Sequence, residues 1–175
     1  TGRQRIVAAL IETLQPAAIL ETGTYRGTTT AWFAEQQSGP VYTAEASPRY
    51  YGFATTRLRK LANVHARLDD SRSFLRTLMS PDALGSQGGA PLLAYLDVHW
   101  HEDLPLADEL EILLDARPDT VVVVDDFEVE GDAGYTFDDY GPGKALNRSY
   151  VEPIMRARDL TAWYPACPSS DETGE

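Results

Sequence analysis

Apolar residues in this chain fall into short runs whose spacing switches repeatedly between a helical and an extended period. Ile6, Val7, Leu10 and Ile11 recur at helical spacing, and Pro16 ends that segment. Residues 17–21 then read as a first strand, 28–37 as a helix closed by Ser38-Gly39-Pro40, and 41–45 as a second strand. A helix over 50–61 follows Ser47-Pro48, which suits a helix start. The alternation continues with a strand at 64–68, a helix at 71–79, a loop at 85–91 and a nearly all-apolar strand at 92–97. A helix at 106–116 stops before Pro118, and the valine run 121–125 is the plainest strand of all. The last elements expected are a helix at 144–158 and a sixth strand at 160–164, before a polar, turn-rich tail. Strand and helix in strict alternation predict an α/β fold: a mostly parallel sheet with helices on both faces. The chain has 175 residues, which suits one domain. Residues 17–80 form its first half and residues 91–166 its second.

The chemistry begins where the first strand meets its helix. Glu21-Thr22-Gly23-Thr24-Tyr25-Arg26-Gly27 puts a glycine turn there. Gly23 admits a positive φ and a close ligand, and Gly27 permits tight packing at the helix start. Glu45 ends the second strand 22 positions after Gly23. A carboxylate at that place can accept both hydroxyls of an adenosine ribose. Ribose binding alone leaves a dinucleotide and S-adenosylmethionine both open. The spacing E-x-G-x-x-x-G differs from the dinucleotide pattern G-x-G-x-x-G. A carboxylate at Glu21 would repel a pyrophosphate and attract a sulfonium and an ammonium, which favours the methyl donor.

Acidic residues also close the later strands. Parallel strands place Asp97 and Asp125 on one edge of the sheet, with Asp126 beside them. Carboxylates so crowded need a proton or a cation, and an all-oxygen set suits a hard divalent ion such as magnesium. From Asp125 to Asp139 there are seven carboxylates and no basic residue. The whole chain carries 27 acidic and 15 basic residues, a net charge of −12. Such a surface repels a phosphate backbone and argues against nucleic acid as a substrate. No apolar run approaches the ~20 residues that span a bilayer, and residues 1–5 lack the features of a signal segment. Cys167 is the only cysteine, so an intrachain disulfide is impossible and a reducing, cytoplasmic setting is expected. His65 reads as a packed or surface residue. Tyr135, Phe137 and Tyr140 lie in a glycine-rich segment that either walls an acceptor pocket or pins itself to the body.

Residues 17–126 resemble a class I methyltransferase, with residues 21–27 similar to the donor-binding motif. The resemblance implies a Rossmann-like sheet and S-adenosylmethionine as cofactor. It implies donor contacts from Glu21, Gly23, Thr24, Tyr25 and Gly27, from Glu45 at the ribose, from Asp97, and from Asp70 and Ser71 near the adenine. Asp69 competes with Asp70 for that last role, and Asp70 also reads as a helix-terminal acid. Such sheets carry a seventh, antiparallel strand, for which no sequence is evident here. Leu96-Asp97-Val98-His99-Trp100-His101 and Val124-Asp125-Asp126 further resemble metal-dependent small-molecule O-methyltransferases, both the catechol type and the sugar enzymes of natural-product pathways. That likeness implies Asp97, Asp125 and Asp126 as magnesium ligands. Val98 is inserted relative to the family's Asp-His-Trp, and Asp126 replaces an amide. The family's catalytic lysine has no match, so His101 is the expected base and His99 a base or a ligand. The expected partner is a small hydroxylated acceptor, with a homo-oligomer left open. The rival readings are a metal-independent methyltransferase, an NAD(P)-linked oxidoreductase and a non-catalytic nucleoside-binding module.

Overall fold

The computed structural model describes residues 2–84, 89–97 and 103–169. Eleven elements run in order along these residues. They are α1 (Gly2–Leu14), β1 (Ala18–Thr22), α2 (Thr28–Gln36), β2 (Val41–Glu45), α3 (Pro48–Leu58), β3 (Val64–Leu68), α4 (Ser71–Leu78), β4 (Leu92–Leu96), α5 (Leu106–Ala116), β5 (Val121–Val124) and α6 (Arg148–Ala157). The strands form one sheet in the order β3-β2-β1-β4-β5, and every pairing is parallel. The order reverses between β1 and β4, which opens a crevice beyond their carboxyl ends.

Side chains on successive strand positions point to opposite faces, and each face meets its own helices. Leu20, Leu92, Ala94 and Leu96 pack with Phe74, Leu75, Leu106, Leu113 and Met155 of α4, α5 and α6. Ile19, Leu93 and Tyr95 pack instead with Val7 and Ile11 of α1 and Phe33 of α2. All five residues of β1 and of β4 are buried, as expected of strands covered on both faces.

The valine run forms β5 as expected, and its four residues are half-buried at the outer edge of the described sheet. One sequence expectation fails just beyond it. Residues 160–164 form no strand; Leu160 and Ala162 rest against the core, while Trp163 is 88% exposed. Leu160 donates its backbone N–H to the Met155 carbonyl, which closes the end of α6 and leaves no ladder to join. The last helix also starts later than its composition suggests. Asn147 caps α6 by accepting from the Tyr150 N–H, and Ala145 is bridged antiparallel to Asp139.

Two local features of the fold give measurable consequences. Gly27 sits at φ +72°, and a Cβ there would lie 3.1 Å from Leu58 Cδ1. Gly27→Ala combines a left-handed backbone with crowding and should cost about 1–3 kcal/mol in urea unfolding; a loss below about 0.5 kcal/mol would contradict this account. Glu109 of α5 is wholly buried. Neither its carboxyl oxygens nor the facing Thr22 and Ser71 hydroxyls reach hydrogen-bond geometry. Burial pushes Glu109 up to about 7, from an ordinary value of 4.5. The folded chain therefore holds this proton more tightly than the unfolded chain, and stability falls as pH rises through that window. Glu109→Gln should lose less stability than the parent over that interval, and equal slopes would refute the assignment.

Candidate functional site

The crevice at the carboxyl ends of β1, β2 and β4 has a volume of about 450 Å³. Gly23 and Tyr25 line it after β1, Ala44 and Glu45 at the end of β2, and Tyr50 on α3. Asp69, Asp70 and Ser71 come from the β3–α4 junction, Asp97 from the end of β4, and Asp103, Asp126 and Asp138 from the loops beyond. Seven of these lining residues are carboxylic acids and none is basic.

The glycine turn is built as a local hydrogen-bonded unit. Gly23 takes φ +88°, and the Gly23 and Thr24 N–H groups both donate to the Ala44 carbonyl at 3.1 Å. Tyr25 also has a positive φ, +47°, which aims its N–H at Glu45 Oε2, 2.7 Å away. The Ser47 N–H donates to Glu45 Oε1 at 2.8 Å. Two backbone donors thus fix the carboxylate that the sequence places opposite a ribose. The Tyr25 ring, half-exposed, meets the Tyr50 ring at 4.6 Å between centroids.

Glu21 lies elsewhere than its charge suggested. It is 1% exposed, turned under the glycine turn and away from the crevice lining, with Oε2 accepting from the Thr30 and Thr43 hydroxyls. Thr43 also meets the Thr24 hydroxyl at 2.5 Å, so Thr24 is inward as well. Burial raises Glu21 to about 7. The expected direct attraction between Glu21 and a sulfonium is therefore replaced by a supporting position behind the turn. Gly27 likewise serves packing, against Leu58 and Ala54.

Asp70 is a helix cap that also borders the crevice. Its carboxylate caps α4, accepting from the Arg72 and Ser73 N–H groups at 3.0 and 3.3 Å, and it also lines the crevice. Asp69 lines it too, so both neighbours remain beside the space. Arg72 then bridges Asp70, Asp103 and Asp108.

The later strand ends converge as expected. β4 and β5 pair with Leu96 opposite Val124, and the Asp125 N–H donates to the Leu96 carbonyl at 3.0 Å. Asp97 and Asp125 are thereby neighbours. Burial, followed by the charges of Asp125, Asp126 and Glu21, pushes Asp97 up to about 8. Asp126 is also raised, by burial and then by Asp125. His101, the expected base, and His99, expected as a base or a ligand, lie outside the described residues, as does Trp100.

The described carboxylates carry other partners. Among the described residues, no three His, Cys, Asp or Glu side chains are grouped so as to hold one. Asp125 accepts instead from Arg3 and from the Tyr95 hydroxyl, each at 2.5 Å, and from the Asp126 N–H at 2.9 Å. Sequence reasoning passed over Arg3, Tyr95 and Tyr50. Arg3 stands 122 positions from its partner, and Tyr95 looks like one more apolar strand residue. The segment around Tyr135 is pinned, its hydroxyl donating to the Cys167 carbonyl at 3.0 Å.

No family model and no curated protein matches this chain. Solved structures do. The O-methyltransferase TomG from Streptomyces achromogenes, involved in tomaymycin synthesis and solved in complex with S-adenosylmethionine, is 26% identical; the match covers 71% of this chain and 55% of TomG, with a TM-score of 0.57. An O-methyltransferase from Bacillus cereus, in complex with S-adenosylhomocysteine, is 22% identical over 71% of this chain and 56% of its own, with a TM-score of 0.56. The methyltransferase domain of bacterial CtHen1-CN shares the fold at 14% identity, over 90% of this chain and 82% of its own, with a TM-score of 0.59. The chain spans about half the length of the two O-methyltransferases. With its parallel sheet, glycine turn and acid-ended second strand, the chain has the class I methyltransferase fold, in the form that resembles S-adenosylmethionine-dependent O-methyltransferases.

Proposed function

We propose that this chain is a donor-binding catalytic domain that moves a methyl group from S-adenosylmethionine to a hydroxyl of a small molecule. The observation that carries this reading is the crevice itself, whose lining among the described residues holds seven acids and no base at the switch point of the sheet. A dinucleotide would bring a pyrophosphate into that negative field. The methyl donor brings a sulfonium and an ammonium, which the field attracts. Its likeness to TomG, bound to S-adenosylmethionine, supports the same donor.

The donor, when bound, supplies a methyl group on a positively charged sulfur. The O–CH₃ bond forms as the S–CH₃ bond breaks, and the hydroxyl proton must leave to a base. The chain's own residues supply binding and orientation. Glu45, held by the Tyr25 and Ser47 N–H groups, retains lone pairs for the ribose hydroxyls. Tyr25 and Tyr50 wall the same side, while Asp97 faces the cationic end. His101, in the stretch that follows Asp97 in the sequence, is our choice of base. No step is assigned to magnesium; Asp125 already accepts from Arg3, the Tyr95 hydroxyl and the Asp126 N–H.

Two experiments test the donor site. Glu45→Ala should weaken S-adenosylhomocysteine binding by about 1–3 kcal/mol in calorimetric titration, the cost of losing a charged hydrogen-bond acceptor; unchanged affinity in the folded variant would remove the ribose role. Asp97 gives a pH signature. It is protonated below about 8, and its ionised form favours a sulfonium over a neutral thioether. The affinity ratio of S-adenosylmethionine to S-adenosylhomocysteine should therefore rise with pH through about 8, and Asp97→Asn should flatten it. A parent ratio independent of pH would exclude Asp97 from the sulfonium.

A further inference from the structure

The amino-terminal helix reaches the acidic edge of the sheet through one side chain. Arg3 Nη1 lies 2.5 Å from Asp125 Oδ2, and Nη2 lies 3.8 Å from Asp126 Oδ1. The Tyr95 hydroxyl donates to the same Asp125 oxygen, and the Asp126 N–H donates to Oδ1. One carboxylate, itself buried, therefore receives three donors from three parts of the chain, and one of them is a full positive charge. Asp126 turns back toward this point at φ +47°, which keeps two acids within reach of one guanidinium.

A divalent ion requires free carboxylate oxygens at about 2.0–2.6 Å, and several at once. Here the oxygens of Asp125 are engaged, and a second cation at that place would also meet the charge of Arg3. A guanidinium suits the position because it stays charged at every working pH and spreads its donors over two acceptors. We propose that Arg3 is the resident cation of the Asp97–Asp125–Asp126 edge. It is a positioning residue that holds the Asp125–Tyr95 pair and keeps a divalent ion away from it. The sheet edge that resembles a magnesium site is thereby neutralised from within the chain. This inference concerns the cation and not the methyl donor, so the two stand or fall separately.

The side chain of Arg3 is 55% exposed, so its removal takes away charge and leaves no cavity in the core. The test is calorimetric titration of Mn²⁺ alone into the parent, Arg3→Gln, Arg3→Lys and the double variant Arg3→Gln/Asp125→Asn. We expect Arg3→Gln to bind Mn²⁺ at least tenfold more tightly than the parent. Arg3→Lys should stay close to the parent, and the double variant should lose the gain. Equal affinity in the parent and Arg3→Gln would overturn the proposal, as would a gain that survives Asp125→Asn. The parent alone also decides, without any variant of Arg3. Stoichiometric Mn²⁺ binding by the parent at micromolar concentration, abolished by Asp125→Asn, would show that Arg3 does not exclude the ion. S-adenosylhomocysteine titrated into the same samples reports the donor site independently.

Discussion

Crowding of like charge at the strand ends is the constraint around which this structure is arranged. A parallel sheet delivers every carboxyl end to one edge, and here those ends carry Glu21, Glu45, Asp97 and Asp125. Each acid is accommodated by a different means. Glu21 is sealed under the turn by two threonine hydroxyls. Glu45 is held by two backbone N–H groups. Asp97 keeps its proton to about pH 8, and Asp125 takes a guanidinium and a phenol. The acids that still face open space are those best placed to receive a cationic ligand. The acidic lining of the crevice is thus a residue of how the other charges were settled.

Much of this was legible from local pattern. The bounds of β2, β3 and α5 follow directly from runs of apolar residues and their breakers. The glycine turn and Glu45 announce the donor side because both belong to one strand–turn–helix–strand unit, where spacing along the chain constrains position in space. What escaped was set by tertiary partners. Glu21 reads as a ligand-facing acid only until Thr30 and Thr43 are known to cover it. Residues 160–164 have a strand-like composition, yet Leu160 is spent on closing α6. Arg3 gave no signal, since a basic residue on an amphipathic helix is ordinarily solvated.

The comparisons and the geometry divide the question between them. Structural likeness supplies the fold, whereas the side chains speak to how charge is balanced within it. The magnesium expectation came from sequence likeness in two short acidic segments. In space, those segments share their edge with a side chain from the opposite end of the chain, which no local motif contains. A short motif can persist while the groups around it change the species it holds.

The Arg3–Asp125 contact joins residues 122 positions apart, and it has a consequence for the order of folding. The β1–β2–β3 half can form from neighbouring segments, but β4 and β5 must be threaded onto β1 before the contact exists. Long-range closures of this kind are entropically costly and come late. Until then the acidic edge lacks the Arg3 counter-charge, which arrives only when segments 122 positions apart meet. Docking of the first helix is in this sense the latch on the completed sheet.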